Sequence, residues 1–269
     1  MKEDKTTMGT FIYKPNKVLE ALKKNVTPLG MQMYSHDPDL IEIVGYAGFD
    51  FVILDMEHGP NGLETVQNLI RAAQLTQMLP VVRVEENNLQ LIGKVLDIGA
   101  GAIQIPQVTC AEDIRRVLNH AKFSPDGMRG VCRFVRAADY SSMARERYFK
   151  EANKTIVIVQ LEGKEAIENI DEILEAGGFE ILFIGPYDLS QSLGVPGQVD
   201  HPLVEEKMRE IIERCQGKDV YVGNFTDTIE NARKWIRSGV RYISYSVDVG
   251  LFTEACRTTV QRLRSVQSA

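Results

Sequence analysis

The sequence predicts an α/β chain folded as a (β/α)8 barrel, and three observations carry that reading. From residue 28 onward, short apolar or β-branched runs alternate with amphipathic segments of 10 to 18 residues, as in repeated βα units around a parallel sheet. Eight such units can be counted, the number that closes a barrel of this type. A small residue plus glycine recurs at the joins from helix to strand, where a helix C-terminus favours glycine. A doubly wound open sheet is the structural alternative. It is disfavoured because the first βα turn lacks GxGxxG, and because closure removes the edges that eight open parallel strands would leave.

Taken in order, the first strand is read at 29–33 and its helix at 38–47, closing at Ala47-Gly48. The second strand, 51–55, opens on the apolar run Phe51-Val52-Ile53-Leu54 and leads to a helix at 63–77. Strand 80–84 precedes helix 89–98, which closes at Ile98-Gly99, and strand 102–105 precedes helix 111–121. Strand 155–161 leads to helix 164–176, ending at Ala176-Gly177, and strand 180–184 leads to helix 202–216. Strand 220–222 is followed by helix 227–237, ending at Ser238-Gly239, and strand 242–246 by a last helix at 248–265. Two segments fall outside the repeat. Residues 16–25 read as a lead-in helix, and 123–153 as an insertion after the fourth helix, rich in Arg and Gly at first and helical from about Ser142.

With 44% apolar and 25% charged residues, the chain fits an ordinary globular protein and one domain over 1–269, the barrel proper spanning about 28–266. Lys and Arg number 31 against 37 Asp and Glu, a net charge of −6, so the positive field expected of a nucleic-acid or anionic-membrane binder is missing. The start, Met1-Lys2-Glu3-Asp4-Lys5, is charged and precedes no apolar signal-like run. No stretch approaches the ~18 apolar residues of a membrane span, and a cytoplasmic location is expected. Cys110, Cys132, Cys215 and Cys256 form no CxxC pair and read as buried free thiols. His36, His58, His120 and His201 have no helical ligand spacing among them.

In a barrel of this kind the chemistry sits at the C-terminal ends of the strands. There the sequence is unusually polar: Asp55-Met56-Glu57-His58-Gly59-Pro60, Arg83, Pro106-Gln107, Gln160-Leu161-Glu162, Gly185-Pro186-Tyr187-Asp188, Asn224, and Ser246 with Asp248. Glu162 and Asp188 come from neighbouring strands about 4.8 Å apart, and two carboxylates at matching heights can share a hard divalent cation. Mg²⁺ or Mn²⁺ suits an all-oxygen set, with Co²⁺ or Zn²⁺ as substitutes. The plainer reading has Glu162 paired with a barrel cation and Asp188 capping the helix it precedes. Gln160, on the same pleat face as Glu162, reads as a polar neighbour on the substrate side. The Gly185–Asp188 turn offers backbone N–H groups to a substrate carboxylate. Arg83 can hold a carboxylate or steady an enolate oxygen; its plainer role is pairing with Glu85 or Glu86. His58 is the natural general base or acid, against a purely structural histidine. Asp97 sits in an apolar helix end, needs a partner, and is read as pairing with His58.

Phe51-Val52-Ile53-Leu54-Asp55-Met56-Glu57-His58-Gly59-Pro60, Pro80-Val81-Val82-Arg83, Val95-Leu96-Asp97-Ile98-Gly99-Ala100, Gln160-Leu161-Glu162 and Phe183-Ile184-Gly185-Pro186-Tyr187-Asp188-Leu189-Ser190 together resemble the HpcH/HpaI aldolase family. The resemblance covers about 28–260 and implies a metal-dependent class II pyruvate aldolase on a (β/α)8 barrel. It implies Glu162 and Asp188 as metal ligands, Gln160 as a neighbour on the substrate side, Arg83 on the pyruvate enolate, and His58 with Asp97 as the acid/base pair; Tyr187 and Asp188, in the Gly185–Asp188 turn, are read as substrate contacts beside it. It also implies a hexamer, a dimer of trimers with exchanged C-terminal helices. The chain departs from the family pattern at Gly163, at Tyr187 and across Cys132-Arg133-Phe134-Val135-Arg136.

The expected reaction is reversible cleavage of a 4-hydroxy-2-oxo acid to pyruvate and an aldehyde. Alternatives at the same site are a lyase that decarboxylates oxaloacetate, similar to macrophomate synthase, and an acyl-CoA lyase using Arg129, Arg133 and Arg136 for the CoA phosphates. The non-enzymatic alternative is a protein that binds a keto acid without turnover. No lysine is placed at a strand end for a Schiff base, which argues against a class I aldolase.

Overall fold

In a computed structural model describing residues 16–86 and 88–267, eight parallel strands pair in chain order and the last pairs back to the first. They are β1 (Leu29–Met33), β2 (Phe51–Asp55), β3 (Leu79–Arg83), β4 (Ala102–Ile105), β5 (Ile156–Leu161), β6 (Ile181–Ile184), β7 (Tyr221–Thr226) and β8 (Tyr242–Val247). The charged start at Met1–Lys5 lies outside the described residues. The helices before the insertion are α1 (Lys17–Lys23), α2 (Pro38–Tyr46), α3 (Leu63–Leu75), α4 (Leu89–Asp97) and α5 (Ala111–Ala121). Beyond it come α6 (Arg145–Ala152), α7 (Lys164–Glu168), α8 (Ile170–Ala176), α9 (Pro186–Ser192), α10 (Pro202–Arg214), α11 (Ile229–Ser238) and α12 (Asp248–Gln267). Among the described residues no helix is long and apolar enough to cross a membrane.

Local chemistry starts and stops these elements. Asn16 opens α1 by accepting from the N–H groups of Val18 and Leu19, and Asp37 with Pro38 opens α2. His201, set beside a proline, caps α10 by accepting from Leu203 N–H. Gly239 ends α11 at φ 114°, a left-handed position where a side chain is strained. The helix read at 164–176 is broken at Asn169 into α7 and α8. β7 runs on to Thr226, past the Gly223-Asn224 pair that reads as a strand end. The insertion folds through a 3₁₀ turn at Arg136–Ser141 into α6, around its own cluster of Phe123, Met143 and Tyr148. The cysteines are free, as expected, but only Cys215 is buried; Cys132 and Cys256 are exposed and Cys110 is half-buried.

Two apolar layers result. One lies between the sheet and the helices; the other fills the barrel with Phe51, Ile53, Val81, Ile156, Ile158, Ile181, Phe183 and Tyr242. Val18 and Leu22 of α1 join the inner cluster and so plug the N-terminal end. The polar residues are therefore left to the other end, the C-terminal mouth. Phe51 stacks on Tyr242 at 4.0 Å between ring centroids, and it fits only because Gly30 faces it: a Cβ there would lie 2.0 Å from the Phe51 ring. Gly30→Ala should therefore destabilise the fold by about 2 kcal/mol or more through overpacking, read as a lowered urea midpoint. An unchanged midpoint would show that the inner layer can shift to admit the methyl group.

Candidate active site

Asp55 at the end of β2 and Arg83 at the end of β3 are register partners, and both side chains point into the barrel mouth. Arg83 Nε donates to Asp55 Oδ1 at 2.9 Å and Nη2 to Asp55 Oδ2 at 2.7 Å, a bidentate fork. Its Nη1 lies 3.0 Å from Glu57 Oε2. Gln32 on β1 donates to Asp55 Oδ2 at 3.0 Å, and Glu57 N–H donates to Asp55 Oδ1 at 3.0 Å. Asp55 is fully buried and Arg83 is 5% exposed. Burial alone would raise the Asp55 carboxyl, but the Arg83 hydrogen bonds and charge outweigh it and hold the group below the usual carboxylate range. Glu57 goes the other way, raised by burial against the pull of Arg83. Arg83 pairs with neither Glu85 nor Glu86.

Across the mouth an amide chain positions Glu162. Gln104 on β4 donates to Gln160 Oε1 at 2.6 Å, Gln160 donates to Glu162 Oε2, and Gln107 N–H donates to Glu162 Oε1 at 2.8 Å. Burial, reinforced by the nearby charges of Asp188 and Glu57, pushes the Glu162 carboxyl up to about 7 despite these hydrogen bonds. Among the described residues no Lys, Arg or His pairs with Glu162 or Asp188, nor do three or more His, Cys, Asp or Glu cluster to hold an ion. A buried carboxylate, Glu162, and an exposed one, Asp188, neither with a counter-charge among the described residues, fit a hard divalent cation that completes its shell with water and substrate. Gly185 makes the arrangement possible, since a Cβ there would lie 2.8 Å from Glu162 Oε2.

His58, Arg83, Gln160, Tyr187 and Asp188 all line one cavity of about 450 Å³ at this mouth. His58 is exposed on the loop after β2. Tyr187 opens α9 and donates its hydroxyl to Asp227 Oδ2 at 2.5 Å; burial and then that carboxylate push its phenol up to about 12. Asp97 is not brought to His58. It pairs with Arg129 Nη2 at 2.5 Å, because the buried Arg129 of the insertion needs an anion and Asp97 supplies it. Arg129, Arg133 and Arg136 are each engaged inside the chain, the first on Asp97 and the last two on the carbonyls of Ser141, Met143 and Ile98 and on Gln74, so these N–H groups are committed to the chain's own acceptors. Asp55, Gln32, Gln104 and Asp227 were not singled out from sequence. Asp55 had a signal, being a lone acid two residues beyond Ile53 on an inward-facing strand position.

A closed parallel barrel whose C-terminal mouth gathers acids, an arginine and a histidine around one cavity defines a barrel enzyme. A family model for HpcH/HpaI aldolase/citrate lyase matches residues 29–255, and the chain belongs to that family. It is a carbon–carbon lyase of the aldolase kind, which sets aside the reading of a keto-acid binder without turnover. A 2-keto-3-deoxy-L-rhamnonate aldolase of Salmonella paratyphi B is 35% identical over 255 residues, covering 94% of this chain and 95% of that protein. An HpcH/HpaI aldolase/citrate lyase family protein from Burkholderia cenocepacia J2315 superimposes with TM-score 0.88 at 31% identity, covering 93% and 100% of the two chains. The citrate synthase SbnG superimposes with TM-score 0.84 at 27% identity, covering 93% and 98%. Neighbours with different printed activities leave the choice of reaction to the site.

Gly185→Ala should weaken divalent-metal affinity by about 10–100-fold, because the methyl group displaces the Glu162 carboxylate. Titration calorimetry with Mn²⁺ on folded protein reads the effect. Undiminished affinity would remove Glu162 from the ion's shell.

Proposed function

We propose that the protein cleaves a 4-hydroxy-2-oxo acid reversibly to pyruvate and an aldehyde with the help of a divalent cation. The observation behind this is one mouth that pairs an anchored guanidinium with two uncompensated carboxylates, Glu162 and Asp188. The name of the Salmonella relative supports the substrate class: a 2-keto-3-deoxy sugar acid carries a carbonyl at C2, a methylene at C3 and a hydroxyl at C4.

Glu162 and Asp188 would hold the ion, Mg²⁺ or Mn²⁺ with Co²⁺ or Zn²⁺ as substitutes, which when bound supplies Lewis acidity at the 2-oxo group. Arg83, oriented by Asp55 and Glu57, directs its remaining N–H groups at the substrate carboxylate and at the oxygen that becomes anionic. Gln160 adds a polar contact on the same side. His58 takes the proton of the C4 hydroxyl, directly or through one water. The C3–C4 bond breaks, its electron pair remains with C3 as the pyruvate enolate, and the C4 fragment leaves as an aldehyde. A proton delivered to C3 then completes pyruvate.

The proposal extends to a homo-oligomer in which the C-terminal helix is exchanged, up to a dimer of trimers. α12 supports it, for Phe252, Val260, Leu263 and Val266 are exposed along its length. Leu263→Glu should then lower the mass measured by light scattering; an unchanged mass would remove that face from the interface.

Chelation should abolish turnover, and full activity in thorough chelator would sink the metal assignment. His58→Ala should cost on the order of 10²–10⁴ in aldol cleavage, the usual range for a positioned acid/base group. Oxaloacetate decarboxylation forms the same enolate without deprotonating a hydroxyl, so it should suffer less. Equal loss in both assays would make His58 a binding residue.

A further inference from the structure

The residues lining the cavity include two chemically different groups. One is Arg83, Gln160 and Asp188, assigned above to the keto acid. The other is Tyr187 from α9 with Phe225 of β7 and Asp227 just after it. The Tyr187 and Phe225 rings meet edge to face, with centroids 6.0 Å apart, and the Tyr187 hydroxyl bonds one oxygen of Asp227. Among the described residues no Lys, Arg or His forms an ion pair with Asp227. Arg83 is the one Lys or Arg among the described residues lining this cavity, and it is already flanked by Asp55 and Glu57. Further acids stand near this wall: Asp200 acts on the Tyr187 phenol, and Glu230 and Glu254 act with Asp227 on Tyr245.

We propose that the Tyr187–Asp227 pair makes this the acceptor end of the site and selects neutral, hydroxyl-bearing aldehydes over aldehydes that end in a carboxylate. The inference rests on the aldolase reading and adds its substrate class. A carboxylate offers about four lone-pair positions, and Tyr187 occupies one, so Asp227 can accept O–H donors from hydroxylated carbons. The ring faces of Tyr187 and Phe225 cover the C–H surface between those hydroxyls. An anionic tail would instead meet Asp227, and the Arg83 guanidinium of the same cavity is already taken up by Asp55 and Glu57. The wall is solvent-exposed, so salt and water moderate the repulsion.

The test measures kcat/KM for pyruvate condensation with glyceraldehyde, butanal and succinic semialdehyde, for the unmodified enzyme and for Asp227→Asn and Tyr187→Phe. Pyruvate C3 deuterium exchange without aldehyde is followed in the unmodified enzyme. The unmodified enzyme should prefer glyceraldehyde to succinic semialdehyde. Asp227→Asn should lower that ratio about tenfold, mainly through KM for succinic semialdehyde, with the ratio of glyceraldehyde to butanal falling less. Tyr187→Phe keeps the charge and should move the anionic ratio by less than Asp227→Asn does. A preference for succinic semialdehyde in the unmodified enzyme, or an Asp227→Asn variant with an unchanged ratio, overturns the proposal while exchange leaves the aldolase reading intact. Absence of pyruvate exchange overturns that reading, and this proposal with it.

Discussion

The buried pair between Asp55 and Arg83 is the constraint from which the rest of the mouth follows. Two charges removed from water cost several kcal/mol each, and their attraction offsets that only with good geometry and with the leftover donors and acceptors satisfied. Here the fork is bidentate, Gln32 and Glu57 N–H serve the remaining carboxylate positions, and Glu57 lies against the free edge of the guanidinium. The β2–β3 register puts the two residues side by side, so the barrel's own hydrogen bonding sets the pair. Because the barrel is plugged below by α1 and packed in its middle by Phe51, Phe183 and Tyr242, the guanidinium can reach open space only toward the mouth. Its direction is thus a property of the whole barrel and not of a loop.

The electrostatics of the mouth are deliberately lopsided. On the β2–β3 side, Arg83 pairs with both Asp55 and Glu57, and the Asp55 carboxyl is held low. On the β5–β6 side, Glu162 has amide and backbone donors but no cation, and burial with neighbouring acids pushes it up to about 7. Amide donors can orient a carboxylate without neutralising it. That leaves the side adjoining Asp188 as the place where an added cation lowers the free energy of the site most.

Legibility in the sequence divides along the same physical line. The eight βα units were readable because strand and helix periods and glycine C-caps are local signals. The boundary at β7 was not, since Gly223-Asn224 looks like a breaker while the sheet on both sides holds the segment extended. Arg83, Gln160, Glu162, Tyr187 and Asp188 were found by their place at strand ends, and the cavity gathers all but Glu162 along its lining, with Glu162 held just behind by Gln160. Asp97 was assigned the wrong partner because Arg129 arrives from an insertion 32 residues away, a tertiary choice no local pattern encodes. Asp55 was passed over for a related reason. A charge at the end of an apolar strand resembles a turn residue until the neighbouring strand supplies its counter-ion.

The site also divides by rigidity, and the division suggests how one chemistry could serve different acceptors. Asp55, Arg83, Gln104, Gln160 and Glu162 are buried, lie on or at the ends of strands, and are held in two hydrogen-bonded networks, so this half of the mouth is organised before anything binds. His58, Tyr187 and Asp227 are exposed and sit just beyond strands, where substitutions disturb little packing. Changes at Tyr187 and Asp227 can therefore reshape the rim of the cavity without moving the buried networks of the mouth. The reverse does not hold, because a change at Asp55 strips a buried guanidinium of its bidentate partner, leaving only Glu57, and disturbs the barrel itself. The buried, hydrogen-bonded half of the mouth is thus tied to the core of the fold, and the rim at Tyr187 and Asp227 is built onto its edge.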